Sequence, residues 1–438
     1  MQYVFFIIFL CILVHDVRKG VLIYAPFKLF FLSGIKLLGP YSFDAAISIL
    51  AVSIYFIKYY GHLKIKKMPW TQAIITGIVF SIINGLFPEL TGGVLWSSFT
   101  VFMYAVIYFD SINTKDNLKI AVYSIILFTI IMCVNGVIEY VMGTNFLREI
   151  QQSIATEGTY FSENPIERFG ITHRVCSCIP HSIGYGTVCA CFLFLIIYII
   201  YYTNIHLNLF ITIVSLFLLF SGIVLSASRS PLLGLAIMLL PFALSKKMFE
   251  IKNIIFFSLL MIIAYYYAGE FIVKMFLSMV NENEAMEASG SGIEMRQTQY
   301  ELTMMVWSQN PIFGHGNVAL EQIDRSGMLR GAESLWFQLL IRRGIVGFIG
   351  YILFYCFIIR DIIKTQNERM FKLAFWTGWI IINSVTSLPG ITDFLALMIL
   401  TLMYKFEYLG HIKKKTRKKY NLLQQTKSAP LGYIKPIL

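Results

Sequence analysis

The chain has 438 residues, of which 57% are hydrophobic and only 14% charged, and its mean hydropathy is +0.69. A soluble domain carries about 25% charged residues, so the composition excludes a soluble enzyme and indicates an integral membrane protein. A net charge of +12 would suggest nucleic acid in a soluble protein; in a membrane chain it reflects Lys and Arg gathered on cytoplasmic loops.

Ile, Leu, Phe and Val runs recur down the whole length. They are too long for buried strands, and a barrel would show alternation in segments of about ten residues. The expected class is therefore all-α: a polytopic membrane protein with about 12 or 13 transmembrane helices of roughly 20 residues each. The candidate spans are 3–14, 21–38, 42–59, 72–88, 94–110, 119–142, 183–203, 206–225, 230–245, 251–268, 334–359, 371–388 and 391–408. The first lacks a basic leader region and a small-residue cleavage site, so it is expected to stay as a membrane segment. The second carries Lys28 and Lys36 and is cut by Pro26 and Gly34. An interfacial placement of 21–38 would leave 12 spans.

The basic run Lys413 to Lys419 places the C-terminus in the cytoplasm. Alternation backwards from it puts Arg360 to Lys372, Lys246 to Lys252, Lys115 with Lys119, and Lys58 to Lys67 on the same inner side. The expected organisation is N-terminal helices over 1–142, an outer loop over 143–182, helices over 183–268, a large outer loop over 269–333, C-terminal helices over 334–409 and a basic cytoplasmic tail over 410–438.

The stretch 269–333 is the longest polar segment between apolar runs, with acids and bases spread from Glu270 to Glu333. Its first part, Asn281 to Gly292, reads as an acidic, Gly/Ser-rich linker. From Ile293 to Ser308 large apolar residues recur with helical spacing, and Asn310-Pro311 stops the pattern. This is the expected interfacial helix on the outer membrane surface. Arg296, Tyr300, Thr303 and Trp307 fall on one stripe of it.

Arg229 is the most informative single residue. It sits in Ser226-Ala227-Ser228-Arg229-Ser230-Pro231, between two apolar spans. Pro231 suits a first helical turn, and Ser228 or Ser230 suits its cap. A helix N-terminus beside a guanidinium forms a natural anion site. Snorkelling to lipid headgroups is the other reading. Arg174 enters the next span near Pro180, His181, Gly184 and Gly186, and Arg168 competes with it in the same loop. Glu333, at the start of the eleventh span, either complements the helix dipole or serves as a general base for a sugar hydroxyl. His315 in Gly314-His315-Gly316 is a second base candidate that equally suits a turn. Arg342 and Arg343 need partners or an anion and are auxiliary candidates. Glu139 lies close enough to an outer end to be solvated. The pairs Cys176/Cys178 and Cys189/Cys191 have the wrong spacing for zinc and are expected to pack.

These motifs in this order resemble the O-antigen ligase and polymerase superfamily: Ser226 to Ser230 at a span start, Arg296 opening a helix with Trp307, Asn310-Pro311-Ile312-Phe313-Gly314-His315-Gly316, and Glu333 through Gly347 with Arg342-Arg343-Gly344. The resemblance covers about 165–350. It implies a membrane glycosyltransferase that uses a polyprenyl diphosphate-linked glycan, with neither nucleotide sugar nor metal and no further cofactor. It implies that Arg174, Arg229 and Arg296 hold the diphosphate. Ligases of the superfamily usually show His-Asn where this chain has Glu333-Ser334, which favours the repeat-unit polymerase branch for O-antigen, capsule or exopolysaccharide. Transfer of finished glycan to a lipid A core, and transport of lipid-linked oligosaccharide, stand as alternatives. Expected partners are the undecaprenyl diphosphate-linked glycan, membrane lipid, a chain-length regulator and a flippase, but no nucleic acid. The expected location is a bacterial inner membrane.

Overall fold

A computed structural model describes residues 2–31, 35–38, 41–59, 61, 68–85, 92–154, 173–244, 269, 273, 277, 293–316, 334–365, 368–385 and 393–409. The regular structure of the described chain is helical apart from one two-stranded hairpin, in keeping with the all-α class. Among the described residues, three helices are by themselves long and apolar enough to cross a membrane: Lys115–Met142, Ser182–Tyr202 and Leu335–Lys364. Other apolar helices of 10–17 residues fall short of the roughly 20 residues that a bilayer core requires. The expected span 251–268 lies outside the described residues.

The N-terminal part opens with α1 (Gln2–His15) and α2 (Val17–Phe27). Segment 21–38 is not one span. Helix α2 ends at Phe27, and the chain continues into strand β1 (Lys36–Leu38), paired antiparallel with β2 (Tyr41–Ser42). An 11-residue helix reaches only about 16 Å. Lys28 is nevertheless fully buried. Its ammonium donates to Asp44 Oδ1 at 2.7 Å and Ser48 Oγ at 2.5 Å and lies 4.4 Å from the Tyr104 ring centre. Asp44 and Ser48 belong to α3 (Phe43–Tyr59), so a buried ion pair, not the interface, accommodates this lysine.

Helices α4 (Thr71–Gly85), α5 (Gly92–Ser111) and α6 (Lys115–Met142) follow. Thr114 caps α6 by accepting from the Asn117 N–H, and Gly143 ends it in the left-handed conformation at φ +70°. The expected loop 143–182 contains a further helix, α7 (Phe146–Ile154).

Helix α8 (Ser182–Tyr202) is buried on nearly all sides. That fits its uniformly apolar sequence, since a helix without a polar face belongs in a core. Helices α9 (Leu209–Leu225) and α10 (Arg229–Ala243) pack on it. After the linker come α11 (Ile293–Trp307), α12 (Leu335–Lys364), α13 (Arg369–Val385) and a last helix, α14 (393–409). Helices α10 and α13 run antiparallel, with Phe242 against Phe371 at 4.8 Å between ring centres and Gly234 against the Gly378 backbone at the other end.

Helix α12 is broken. Gly344 has φ +58° and ψ −162°, far from helical values, so the element comprises two helices joined at a kink. The turn after α11 fills the break. The Ile345 and Val346 N–H groups donate to the Pro311 and Ile312 carbonyls at 2.9 and 3.2 Å. The His315 N–H donates to the Ile341 carbonyl at 2.7 Å. Two N–H groups and one carbonyl at the break are thereby paired, as a low-dielectric surrounding favours.

Candidate functional site

The site is built where α9 ends and α10 begins. Ser226, Ala227 and Ser228 form the whole connection, and Ala227 is forced to φ +46°. A non-glycine residue there costs about 1–2 kcal/mol, so neighbouring contacts must hold the turn. One neighbour is Arg174. It is 7% exposed, and its Nε donates to the Ser226 carbonyl at 3.2 Å while Nη2 donates to Ser228 Oγ at 2.8 Å. The Val175 N–H adds a bond to the Leu225 carbonyl at 3.1 Å. Gly186 of α8 lies under the same turn, where an added Cβ would press on Ser226 and Pro231.

Ser228 occupies the N-cap position of α10 but makes no side-chain bond to that helix's own N–H groups. Its hydroxyl donates to the Ser226 carbonyl at 2.9 Å and accepts from Arg174. The serine expected to cap the helix instead holds an arginine against the helix start. Arg229 follows as the first residue of α10 and is half-buried. Two guanidinium residues and the positive end of a helix dipole thus belong to one short turn, which suits an anion with several oxygens.

The starts of α8, α10 and α12 share one end of the bundle. Gly186 meets the 226–231 turn. Ser384, at the end of α13 that lies beside the start of α10, accepts from Trp336 Nε1 at 2.8 Å, and Trp336 belongs to the first turn of α12. Helix α11 lies along the first part of α12, with Tyr300 against Phe337 and Val306 against Ile341. The backbone of Arg296, one turn before Tyr300, therefore lies toward that end. Glu333 and Arg168 lie outside the described residues, as does the Arg296 side chain.

The auxiliary candidates have other placements. His181 caps α8, its Nδ1 accepting from the Ile183 N–H at 3.2 Å. His315 serves the turn, with Nε2 2.9 Å from the Val306 carbonyl and its N–H on Ile341. Arg342 and Arg343 immediately precede the break in α12, about 10 Å along the helix from its start. Arg343 stacks 5.3 Å over the Tyr351 ring, and the Tyr351 hydroxyl donates to Asp393 Oδ2 at 3.2 Å.

Glu139 is not solvated. It is 3% exposed and held by the loop that carries Arg174. The Ser177 N–H donates to Oε2 at 2.7 Å, the Cys176 N–H lies 3.3 Å from both oxygens, and Asn145 Nδ2 donates at 2.9 Å. His173 Nε2 is 3.3 Å from Oε1. The sequence signal was Asn135 and Glu139 one helical turn apart in an apolar span, with Asn145 beyond the Gly143 cap. Burial pushes the Cys176 and Cys178 thiols up to about 11 and about 12, so both stay protonated and pack.

Residues 214–352 match the family described as O-antigen ligase. The match supports the O-antigen ligase and polymerase superfamily for this region of the chain. It runs from within α9 to beyond the break in α12, so it contains Arg229, Arg296, Glu333 and the whole clasp at Gly344. Arg174 lies before it and joins the matched region through Ser226 and Ser228. No match was found among curated proteins. The match supports a membrane glycosyltransferase-type activity.

Proposed function

We propose that the protein polymerises polyprenyl diphosphate-linked oligosaccharide repeat units at the outer face of a bacterial inner membrane. The observation that carries this reading is the buried Arg174 guanidinium seated on the turn that opens α10, beside Arg229 and next to the matched family region. Nucleotide sugars are cytoplasmic, so a transferase on the outer face needs a lipid-linked donor. The acceptor hydroxyl oxygen forms a bond to the anomeric carbon of the donor. The bond from that carbon to the diphosphate oxygen breaks, and undecaprenyl diphosphate leaves with the electron pair. Fixed cations stabilise the charge that develops on it, and Arg is better suited than Lys because its fork binds two oxygens at once. Arg296 supplies a third cation, and Glu333 takes the acceptor proton. Direct displacement gives inversion.

The test is deletion of the gene and gel analysis of surface glycan. A single repeat unit per anchor supports polymerase activity. Loss of all glycan from the lipid A core identifies a ligase, and an unchanged ladder overturns both. A reporter fused after residue 310 must be external; a cytoplasmic reporter overturns the mechanism.

A further inference from the structure

Arg174 reaches the α9–α10 turn from an irregular segment rather than from a helix, so something must fix that segment. The structure shows what does. Residues 173–177 arch over the end of α6, with Ser177 at φ +50°, and the buried Glu139 carboxylate sits inside the arch. It accepts from two consecutive backbone N–H groups, Cys176 and Ser177, and from Asn145 Nδ2, with His173 Nε2 beside it. Asn145 in turn donates to the Ser177 carbonyl at 2.8 Å, and Ser177 Oγ donates to the Met132 carbonyl at 2.7 Å. Asn135 Nδ2 closes the set, donating to Asn145 Oδ1 and Ser177 Oγ at 2.8 and 3.1 Å. The chain of contacts runs from α6 through Glu139 to the arch, and through Arg174 to the start of α10.

We infer that Glu139 is a positioning residue for the anion site: its carboxylate fixes the arch so that the Arg174 guanidinium is delivered to Ser226 and Ser228. The inference rests on Arg174 being a diphosphate ligand. Charge and shape both matter. The Cys176 and Ser177 N–H groups and the Asn145 amide are donors, so a neutral glutamine of the same size turns its own NH2 on at least one of them. Aspartate keeps the charge but is one methylene shorter. A misplacement of about 1 Å in a positioned catalytic group can cost about 100-fold.

The test titrates undecaprenyl diphosphate onto the full-length protein in lipid nanodiscs and records the melting temperature of each sample. Glu139→Gln is expected to weaken binding about 10-fold or more, with Glu139→Asp between it and the wild type. In an Arg174→Ala background, Glu139→Gln is expected to add nothing further, because residues acting as one unit are not additive. Wild-type binding by Glu139→Gln overturns the inference while leaving the anion site intact. Losses that add in the double variant also overturn it, since they mean Glu139 supports the fold alone. Wild-type binding by Arg174→Ala overturns the anion site itself. If Glu139→Gln fails to fold, Glu139→Asp alone and combined with Arg174→Ala gives the same comparison.

Discussion

Arg174 and Ser228 are 54 positions apart in sequence and 2.8 Å apart in space, joined by a guanidinium that donates to a hydroxyl at the threshold of a helix. The hydroxyl would ordinarily have capped that helix, so the bond marks a place where helix termination is subordinated to holding a charge.

Ser228→Ala separates these two roles. It removes a hydrogen bond to a charged group, a contact of about 1.5–3 kcal/mol, but no capping bond to α10. Glycan polymerisation in membranes is expected to fall about tenfold or more, while the melting temperature of the purified protein falls by no more than the few degrees such a contact accounts for. A large fall in melting temperature with activity kept would show that the contact only stabilises the turn.

Arg229→Ala is expected to abolish long glycan chains while the protein stays at normal abundance in the membrane. Removing one donor aimed at developing charge costs about 100- to 1000-fold. Arg229→Lys should rescue poorly, because a point charge loses the two-point geometry. A normal ladder from either variant, read on a gel, removes the phosphate role.

Gly344→Ala should be strongly destabilising. The residue sits at φ +58°, and an added Cβ would collide with the Ile312 carbonyl. The left-handed conformation alone costs about 1–2 kcal/mol for an L side chain, and the collision adds to it. A substitution such as Phe348→Leu, at a half-buried position four residues on, should shift the melting temperature less.

The Lys28–Asp44 pair predicts a cycle. Lys28→Met strands a buried carboxylate and Asp44→Leu strands a buried ammonium, each at about 3–5 kcal/mol, whereas Lys28→Met combined with Asp44→Leu recovers much of the loss. Thermal unfolding of the single and double variants measures it. A double-variant loss equal to the sum of the two singles would mean that the side chains are not coupled and that the ion pair is not what stabilises the lysine.

Cys176 and Cys178 should resist alkylation at pH 8. Burial holds their thiols protonated up to about 11 and about 12, and the thiolate is the reactive form. Mass spectrometry after treatment of the folded protein checks this, and denaturation should release both.

The helical class, the membrane character and the position of α10's start were legible because apolar runs, Pro231 and the serine cluster are local signals. Helix α7 is too short to stand out among the apolar spans, although Leu147, Ile150 and Ile154 recur at helical spacing and pack on the core, with Asn135 and Asn145 holding its start. Lys28 left the placement of 21–38 open for the opposite reason. A lysine in an apolar run signals an interface only when no partner is in reach, and Asp44 sits 16 residues away, beyond a hairpin. Glu139 was seen, yet its burial could not be, because the donors that satisfy it come from 34 or more residues downstream or from the loop just beyond its own helix. The Gly344 break left only a glycine after two arginines as its trace, and its filler lies 30 positions earlier.

The clasp at that break is written almost wholly in peptide groups. Pro311, Ile312, His315, Ile341, Ile345 and Val346 take part through carbonyls and amides that any residue supplies. What it demands of the genetic text is therefore spacing and two glycines, Gly314 and Gly344, whose backbones touch where side chains would not fit. Substitutions away from Asn310, His315 and the two glycines should be read as spelling variants of one joint, and single-residue insertions or deletions between Asn310 and Gly316 as its true lesions.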